Sequence, residues 1–360
     1  MRIVHTESSL GWGGQEIRIL SESQGLARRG HEIRLLCPAE ARIFVEAPNW
    51  GLQPEAVPIA RKGWLGFSSL KKKFQERGCD IVSTHSSTDS WLSALALRSL
   101  GRPCPMVRTR HISAPVPRNP LSTWLYTRAT THIVTAGEAL KKELVEHNGF
   151  PAERIDSVPT GVDTERFRPG DRMAAREELG LPKDKRLVGI VATLRSWKGH
   201  RFLLEALPEE AGLVIVGDGP QRPMLEAQVA RLGLKHKVLF AGNQRDVVPW
   251  MQSLDVFALP SYANEGVPQA LIQAMLVGLP CVTTNIGSMA ELALHEKTAL
   301  VVPPEDVQAL HAALKKLLQD RIFSENLGAA ARRHCVERFG YDTMLGRMEA
   351  IYKKVADAHR

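Results

Sequence analysis

Arg195 and Lys198 stand three residues apart in the loop VATLRSWKGH, between an apolar run and a helical pattern. Two cations so spaced in a strand-to-helix turn are suited to grip a diphosphate and to neutralise the charge it gathers on leaving. Taken singly, each would read as a solvated loop residue. A second group lies in DVFALPSYANEGVPQALIQAMLVGLPCVTTNIGSMAE, from Asp255 to Glu291. It reads as a short apolar strand, a polar loop holding Glu265, a helix opening at Pro268, a Gly-Leu-Pro stop, a second strand and a loop ending in Glu291. Gly266 and Val267 offer backbone N–H groups at that helix start, which suits a diphosphate. An acid such as Glu265 is also favoured there by the helix dipole with no ligand at all. Gln273 follows Glu265 by eight residues, about 2.2 helical turns, which predicts that the two share a side. Its amide could accept from one hydroxyl and donate to another. Glu291 reads equally as the first-turn acid of a helix over LALHEK. In LVIVGDGP, Gly217 and Gly219 allow a tight turn at a strand end.

The first half carries its own candidates. In GWGGQE, Gly13 and Gly14 leave the N–H groups of a helix start open to a phosphate or a sugar. Glu16 occupies the last position of what would be a G-x-G-x-x-G motif, so the dinucleotide fingerprint fails. VRTRHIS ends a strand at Arg110 and His111, and His85 follows another strand as a weaker companion; a histidine so placed is often a structural residue. The stretch RKGWLGFSSLKKKF sets Arg61, Lys62, Lys71, Lys72 and Lys73 among Trp64, Leu65, Phe67 and Phe74. That mixture suits an anionic membrane surface, or equally the basic outer face of an ordinary helix.

The elements that must position these residues alternate. Strand patterns begin at Ile3, Glu32, Asp80, Met106, His132 and Arg154, then at Leu187, Leu213, Val238, Asp255, Cys281 and Ala299, with amphipathic stretches between them. Alternation of this kind predicts parallel sheets with right-handed crossovers. A chain of 360 residues has room for two such domains. The charged segment 167–186, with Pro169, Gly170 and Pro182, reads as the break between them. After Phe339, Met344, Met348, Ile351 and Val355 fall at helical spacing. Five scattered cysteines without a C-x-x-C suggest reduced, mostly buried thiols, and argue against zinc. The opening MRIVHTESS reads as a first strand, not a secretory signal. No apolar run approaches the roughly 20 residues of a membrane span. A net charge of +8 favours anionic partners.

The ordered set Arg195–Lys198, Gly217–Gly219, Glu265–Gln273 and Glu291 resembles the retaining GT-B glycosyltransferases of group 1 (the family 4-like type, with envelope and lipopolysaccharide enzymes among them). The resemblance covers nearly the whole chain. It implies an α/β GT-B architecture: a Rossmann-like acceptor-binding domain over 1–166 and a nucleotide-sugar domain over 167–340, facing each other across a cleft, with a helix over 341–360 crossing back to the first. It implies a metal-independent transfer of a hexose-type sugar from a nucleotide sugar to a glycan or lipid-linked acceptor, with no cofactor, in the cytoplasm or on the cytoplasmic membrane face. By the same resemblance Glu265 binds hydroxyls of the donor sugar, His111 faces the reacting sugar, and Glu291 lies near the nucleotide. Gln273 stands where the family usually carries a second Glu for the ribose, and PTGVD (Pro159–Asp163) where it usually has Pro-Asn-Gly-Val-Asp. Other functions stay open on the residues alone. A glycoside hydrolase needs two carboxylates flanking the bond, and Glu265 shows no evident partner. A sugar-nucleotide epimerase on a related fold is another reading. A nucleic-acid-binding protein would match the charge, but no base-reading module is visible.

Overall fold

The computed structural model describes residues 1–111, 115–263 and 265–359. Its first sheet holds β1 (Arg2–Thr6), β2 (Glu32–Cys37), β3 (Pro54–Ala56), β4 (Ile81–Thr84), β5 (Met106–Arg110), β6 (His132–Thr135) and β7 (Ile155–Ser157). The order is β3-β2-β1-β4-β5-β6-β7, with every pair parallel. The second sheet holds β8 (Arg186–Val191), β9 (Ala211–Val216), β10 (Val238–Gly242), β11 (Val256–Leu259), β12 (Cys281–Thr284) and β13 (Leu300–Val302). Its order is β10-β9-β8-β11-β12-β13, again all parallel. Strands buried on both faces explain the near-continuous apolar runs in the sequence. β3 is the one strand that the sequence pattern leaves out. Its residues, Pro-Glu-Ala, have no strand preference, and a proline is tolerated because β3 is an edge.

One compact unit comprises Met1–Gly161 with Asp342–Arg360, the other Val162–Tyr341. Helix Tyr341–Asp357 buries Met344, Met348, Ile351 and Val355 within the first unit. The charged segment 167–186 is not a free linker but part of the second unit. It contains helix Arg172–Glu178, capped by Asp171. Arg176 is buried and donates to the Ser253 carbonyl (2.8 Å), the Lys185 carbonyl (3.0 Å) and Asp255 (2.7 Å). One of the charges that resemble a linker, Arg176, is therefore a buried brace within the second unit.

The expectation of wholly reduced cysteines is also corrected. Cys79 and Cys104 form a disulfide, with Cα atoms 6.1 Å apart. They precede the adjacent strands β4 and β5, and a parallel pairing brings the two starts together. Cys37, Cys281 and Cys335 are free and buried. Burial pushes the Cys37 and Cys335 thiols up to about 12, which leaves them unreactive. No helix among the described residues is long and apolar enough to cross a membrane.

Candidate active site

In an open parallel sheet, ligands bind beyond the carboxyl ends of the strands where the order reverses, because the two neighbouring loops diverge there. In the second unit that point lies between β8 and β11. The loop after β8 carries Arg195 and, in a short 3₁₀ turn, Lys198. Gly199 follows with φ +78°, and a Cβ there would lie 1.9 Å from the Pro260 carbonyl oxygen. Only glycine lets the two loops close to backbone contact. The Tyr262 N–H donates to the Trp197 carbonyl at 2.9 Å and locks them together. Lys198 Nζ consequently meets Glu265 Oε1 at 2.6 Å, and Ser261 Oγ donates to the same oxygen at 2.7 Å. Glu265 is only 7% exposed, so its carboxylate is held by burial, a cation and a hydroxyl at once. Arg195 is exposed and stacks over the Trp197 ring at 5.8 Å.

Two further loops brace this pair. Gly217 has φ +131° with its Cβ position 2.1 Å from the Ala192 carbonyl oxygen, and a Cβ at Gly219 would lie 2.8 Å from that of Leu194. The loop after β9 is thereby pressed against the loop after β8. Gly287 has φ +60°, with its Cβ position 1.8 Å from the Glu265 carbonyl oxygen. Glu291 ends the 3₁₀ turn Gly287–Glu291, and its carbonyl accepts from His334 Nε2 at 2.9 Å. No helix follows over LALHEK, which removes the reading of Glu291 as a first-turn acid.

The placement of Gln273 corrects a sequence argument. The helix spans Gln269–Val277 with Pro268 as its N-cap, so Glu265 lies outside it. Counting turns from Glu265 to Gln273 therefore does not apply. Gln273 is half-buried, one turn beyond Gln269. Gly266 and Val267 likewise precede the cap and are not among the helix's first N–H groups.

The first unit reverses between β1 and β4. Glu7 is buried just after β1. It accepts from the Ser9 N–H at 2.6 Å, from Gln15 Nε2 at 2.5 Å and from Ser86 Oγ. Gln15 sits on helix Gly14–Arg28, which Gly13 caps in an extended conformation. Asp89 closes a capping box with Ser86 and also accepts from Thr6 Oγ1 at 2.9 Å. Burial, and then Glu7, push its carboxyl up to about 7. Three histidines form a ladder across the adjacent strand ends. His5 Nδ1 lies 3.0 Å from His85 Nε2, and His85 Nδ1 lies 3.0 Å from His111 Nε2. Burial holds all three below the ordinary imidazole value. His85 and His111 line a cavity of about 480 Å³.

The basic stretch splits. Helix Trp64–Arg77 turns Leu70 and Phe74 into the core, Phe67 packs against that core, and Lys73 pairs with Glu55 at 2.8 Å. Phe74 and Lys73 are therefore not part of an outward face, because the helical period sends every fourth residue inward. Lys71 is half-buried. Arg61, Lys62 and Lys72 are exposed. Trp64 and Leu65 are exposed by 76% and 72%.

Comparison with known proteins decides the family. Residues 171–334 match the profile described as glycosyl transferases group 1, and residues 12–166 match that described as glycosyltransferase family 4. The chain is 29% identical to a D-inositol 3-phosphate glycosyltransferase of Xylanimonas cellulosilytica, over 94% of this chain and 91% of the relative. The chain belongs to the group 1 glycosyltransferases. A glycosyltransferase of Rickettsia africae superposes with a TM-score of 0.89 at 20% identity, over 98% of each chain. Anabaena Alr3699/HepE in complex with UDP gives 0.88 at 20% identity, over 98% of this chain and 100% of that one. The fold is GT-B. Sugar transfer is the activity of this enzyme.

The sequence marks Lys198, Glu265, Gly217 and Gly219 of this glycosyltransferase, but not the bracing Gly199 and Gly287. It also misses Glu7, Gln15, Asp89 and His5, whose nearness depends on strand order. The histidine ladder carries a testable consequence. Burial makes the folded imidazoles harder to protonate, whereas unfolded histidines take up protons below about pH 6.5. Their share of stability is thus present above that pH and lost as pH falls further. Glu7 and Asp89, with raised values, act in the opposite sense. A His85→Phe variant leaves those two carboxyls in place. Denaturant unfolding between pH 7 and 5 is expected to show its stability falling less steeply than wild type, by up to about 1.4 kcal/mol per pH unit. Equal slopes would mean that His85 is protonated in the folded state.

Proposed function

We propose that the enzyme is a retaining, metal-independent transferase that moves a hexose from a UDP-sugar to a glycan or lipid-linked acceptor of the cell envelope. The observation that carries this reading is the Lys198–Glu265 contact at the β8/β11 reversal. Lys198 keeps donors beyond the one given to Glu265, and these suit the diphosphate. Arg195 adds a second cation, and Glu265 Oε2 is placed to accept from a sugar hydroxyl. In this mechanism the acceptor oxygen attacks the anomeric carbon from the face that the diphosphate leaves, and a diphosphate oxygen takes the acceptor proton. The protein's part is to hold the two reactants and to stabilise the departing charge. UDP is favoured as the nucleotide by the UDP complex of the Anabaena neighbour. The envelope acceptor, and a cytoplasmic protein attached peripherally to the membrane, are favoured by the +8 charge and the exposed Trp64 and Leu65.

A thermal-shift series over UDP-, GDP-, ADP- and CMP-linked sugars tests the donor, since a ligand of the folded state alone raises its melting temperature. UDP-sugars are expected to give the largest rise. Gln273→Leu is expected to weaken UDP binding by about 1–3 kcal/mol through loss of a ribose partner, and Gln273→Glu to preserve it. Equal affinity in wild type and Gln273→Leu removes Gln273 from the site.

A further inference from the structure

Arg108, on β5, is 5% exposed. Its Nη1 is fully enclosed without a hydrogen-bond partner. The guanidinium carbon lies 4.3 Å from the centroid of the Tyr126 ring, which offers it no anion. A buried cation left without an anion is strongly unfavourable, so proteins rarely keep one unless it has a task. Arg108 lines the cavity of about 480 Å³ together with Lys62, Arg110 and His111. Among the described residues lining it, three are cations and none is acidic. Asp89 exerts an attractive field on Arg108. Its oxygens, however, are taken by Thr6, Ser8 and the backbone N–H groups of His85 and Ser86. Arg110 Nη1 donates to Tyr126 Oη at 2.6 Å, which fixes a second guanidinium at the same wall.

We propose that this cavity binds a phosphate ester carried by the acceptor, with Arg108 and Arg110 as its ligands. The proposal deepens the function given above and rests on it, because the donor's own diphosphate is assigned to Lys198. Planar guanidinium groups present paired N–H donors that match phosphate oxygens. The cavity shares Lys62, Trp91 and Leu121 with an apolar groove that continues along Trp64, Phe67 and Leu95. The same phosphate chemistry therefore has two sources: a soluble sugar or polyol phosphate, or a lipid headgroup whose chains follow the groove.

The test uses the full chain with UDP at saturation, so that the donor site is filled. Glycerol 3-phosphate is expected to raise the melting temperature by about 3 °C or more, and glycerol to leave it unchanged. Arg108→Gln is expected to abolish that rise, keep the UDP-induced rise, and melt no lower than wild type without ligand, since an unpaired buried charge has gone. If Arg108→Gln does not fold, Arg110→Gln serves in its place and is also expected to abolish the rise. Vesicles of equimolar phosphatidylglycerol and phosphatidylcholine form the second arm. Binding to them that is lost on Trp64→Ser and on Arg108→Gln identifies the lipid source; a response to glycerol 3-phosphate alone identifies the soluble one. The proposal is overturned if neither probe binds, or if the arginine variant responds as wild type does. Loss of the UDP-induced rise with the phosphate response intact would count against the proposed UDP donor and not against this cavity.

Discussion

Replacing Lys198 with alanine is expected to lower turnover on the sugar donor by about 10²-fold or more, as removal of one leaving-group stabiliser does. Arg195→Ala is expected to cost less, about tenfold, because Arg195 is exposed, with its guanidinium stacked on Trp197. Read from the sequence, both cations are surface groups whose removal leaves stability untouched. The structure alters that for Lys198. Its ammonium is the ionic partner of Glu265, which is 7% exposed, and alanine leaves that carboxylate without it. A buried charge deprived of its partner destabilises strongly, whereas removing both charges together is far milder. Lys198→Met is therefore expected to melt below wild type, and the pair Lys198→Met with Glu265→Gln to recover most of the loss while staying inactive. Kinetics on a UDP-sugar alongside thermal melting separates the two effects. Full activity in the Arg195→Ala, Lys198→Ala double variant would remove both residues from the chemistry.

The two sites differ in how far they could be read from sequence, and the reason is topological. Lys198, Gly217, Glu265 and Gly287 each follow closely on an apolar strand. Anything just beyond such a strand lies at one end of a parallel sheet, so membership of the site needs no knowledge of which strands are neighbours. His5, His85 and His111 are different. They lie 80 and 26 residues apart in the chain and meet only because β1, β4 and β5 are adjacent. The Cys79–Cys104 disulfide is hidden for the same reason: its halves are 25 residues apart and precede neighbouring strands. Glu7 and Asp89 are of a type that normally faces water. Nothing local marks them as buried, because their partners are backbone N–H groups, hydroxyls and the Gln15 amide that the fold supplies. Gln273 shows a failure of another kind. The helical period does not reach back through Glu265–Val267, where the chain is not yet helical.

Gly287→Ala is expected to be nearly as damaging as loss of Lys198, although residue 287 bears no functional group. Two costs combine. With φ at +60°, an alanine is held in the left-handed region, at about 1–2 kcal/mol. Its Cβ would also stand 1.8 Å from the Glu265 carbonyl oxygen, and backbone has no rotamer by which to yield. The segment bearing Glu265 must therefore shift, and with it the carboxylate that meets Lys198 at 2.6 Å and Ser261 at 2.7 Å. A misplacement of about 1 Å in a positioning group lowers rate by about 10²-fold. The expected result is a drop in kcat of that size, a fall of a few degrees in melting temperature, and an overall fold unchanged by circular dichroism. Gly266→Ala is the matched control. It lies next to the same glutamate, has nothing within 4 Å of its Cβ position and no left-handed φ, so activity within about threefold of wild type is expected. Should Gly287→Ala remain fully active, the exact seating of Glu265 would not govern the rate, and the role given to its carboxylate would fall with it.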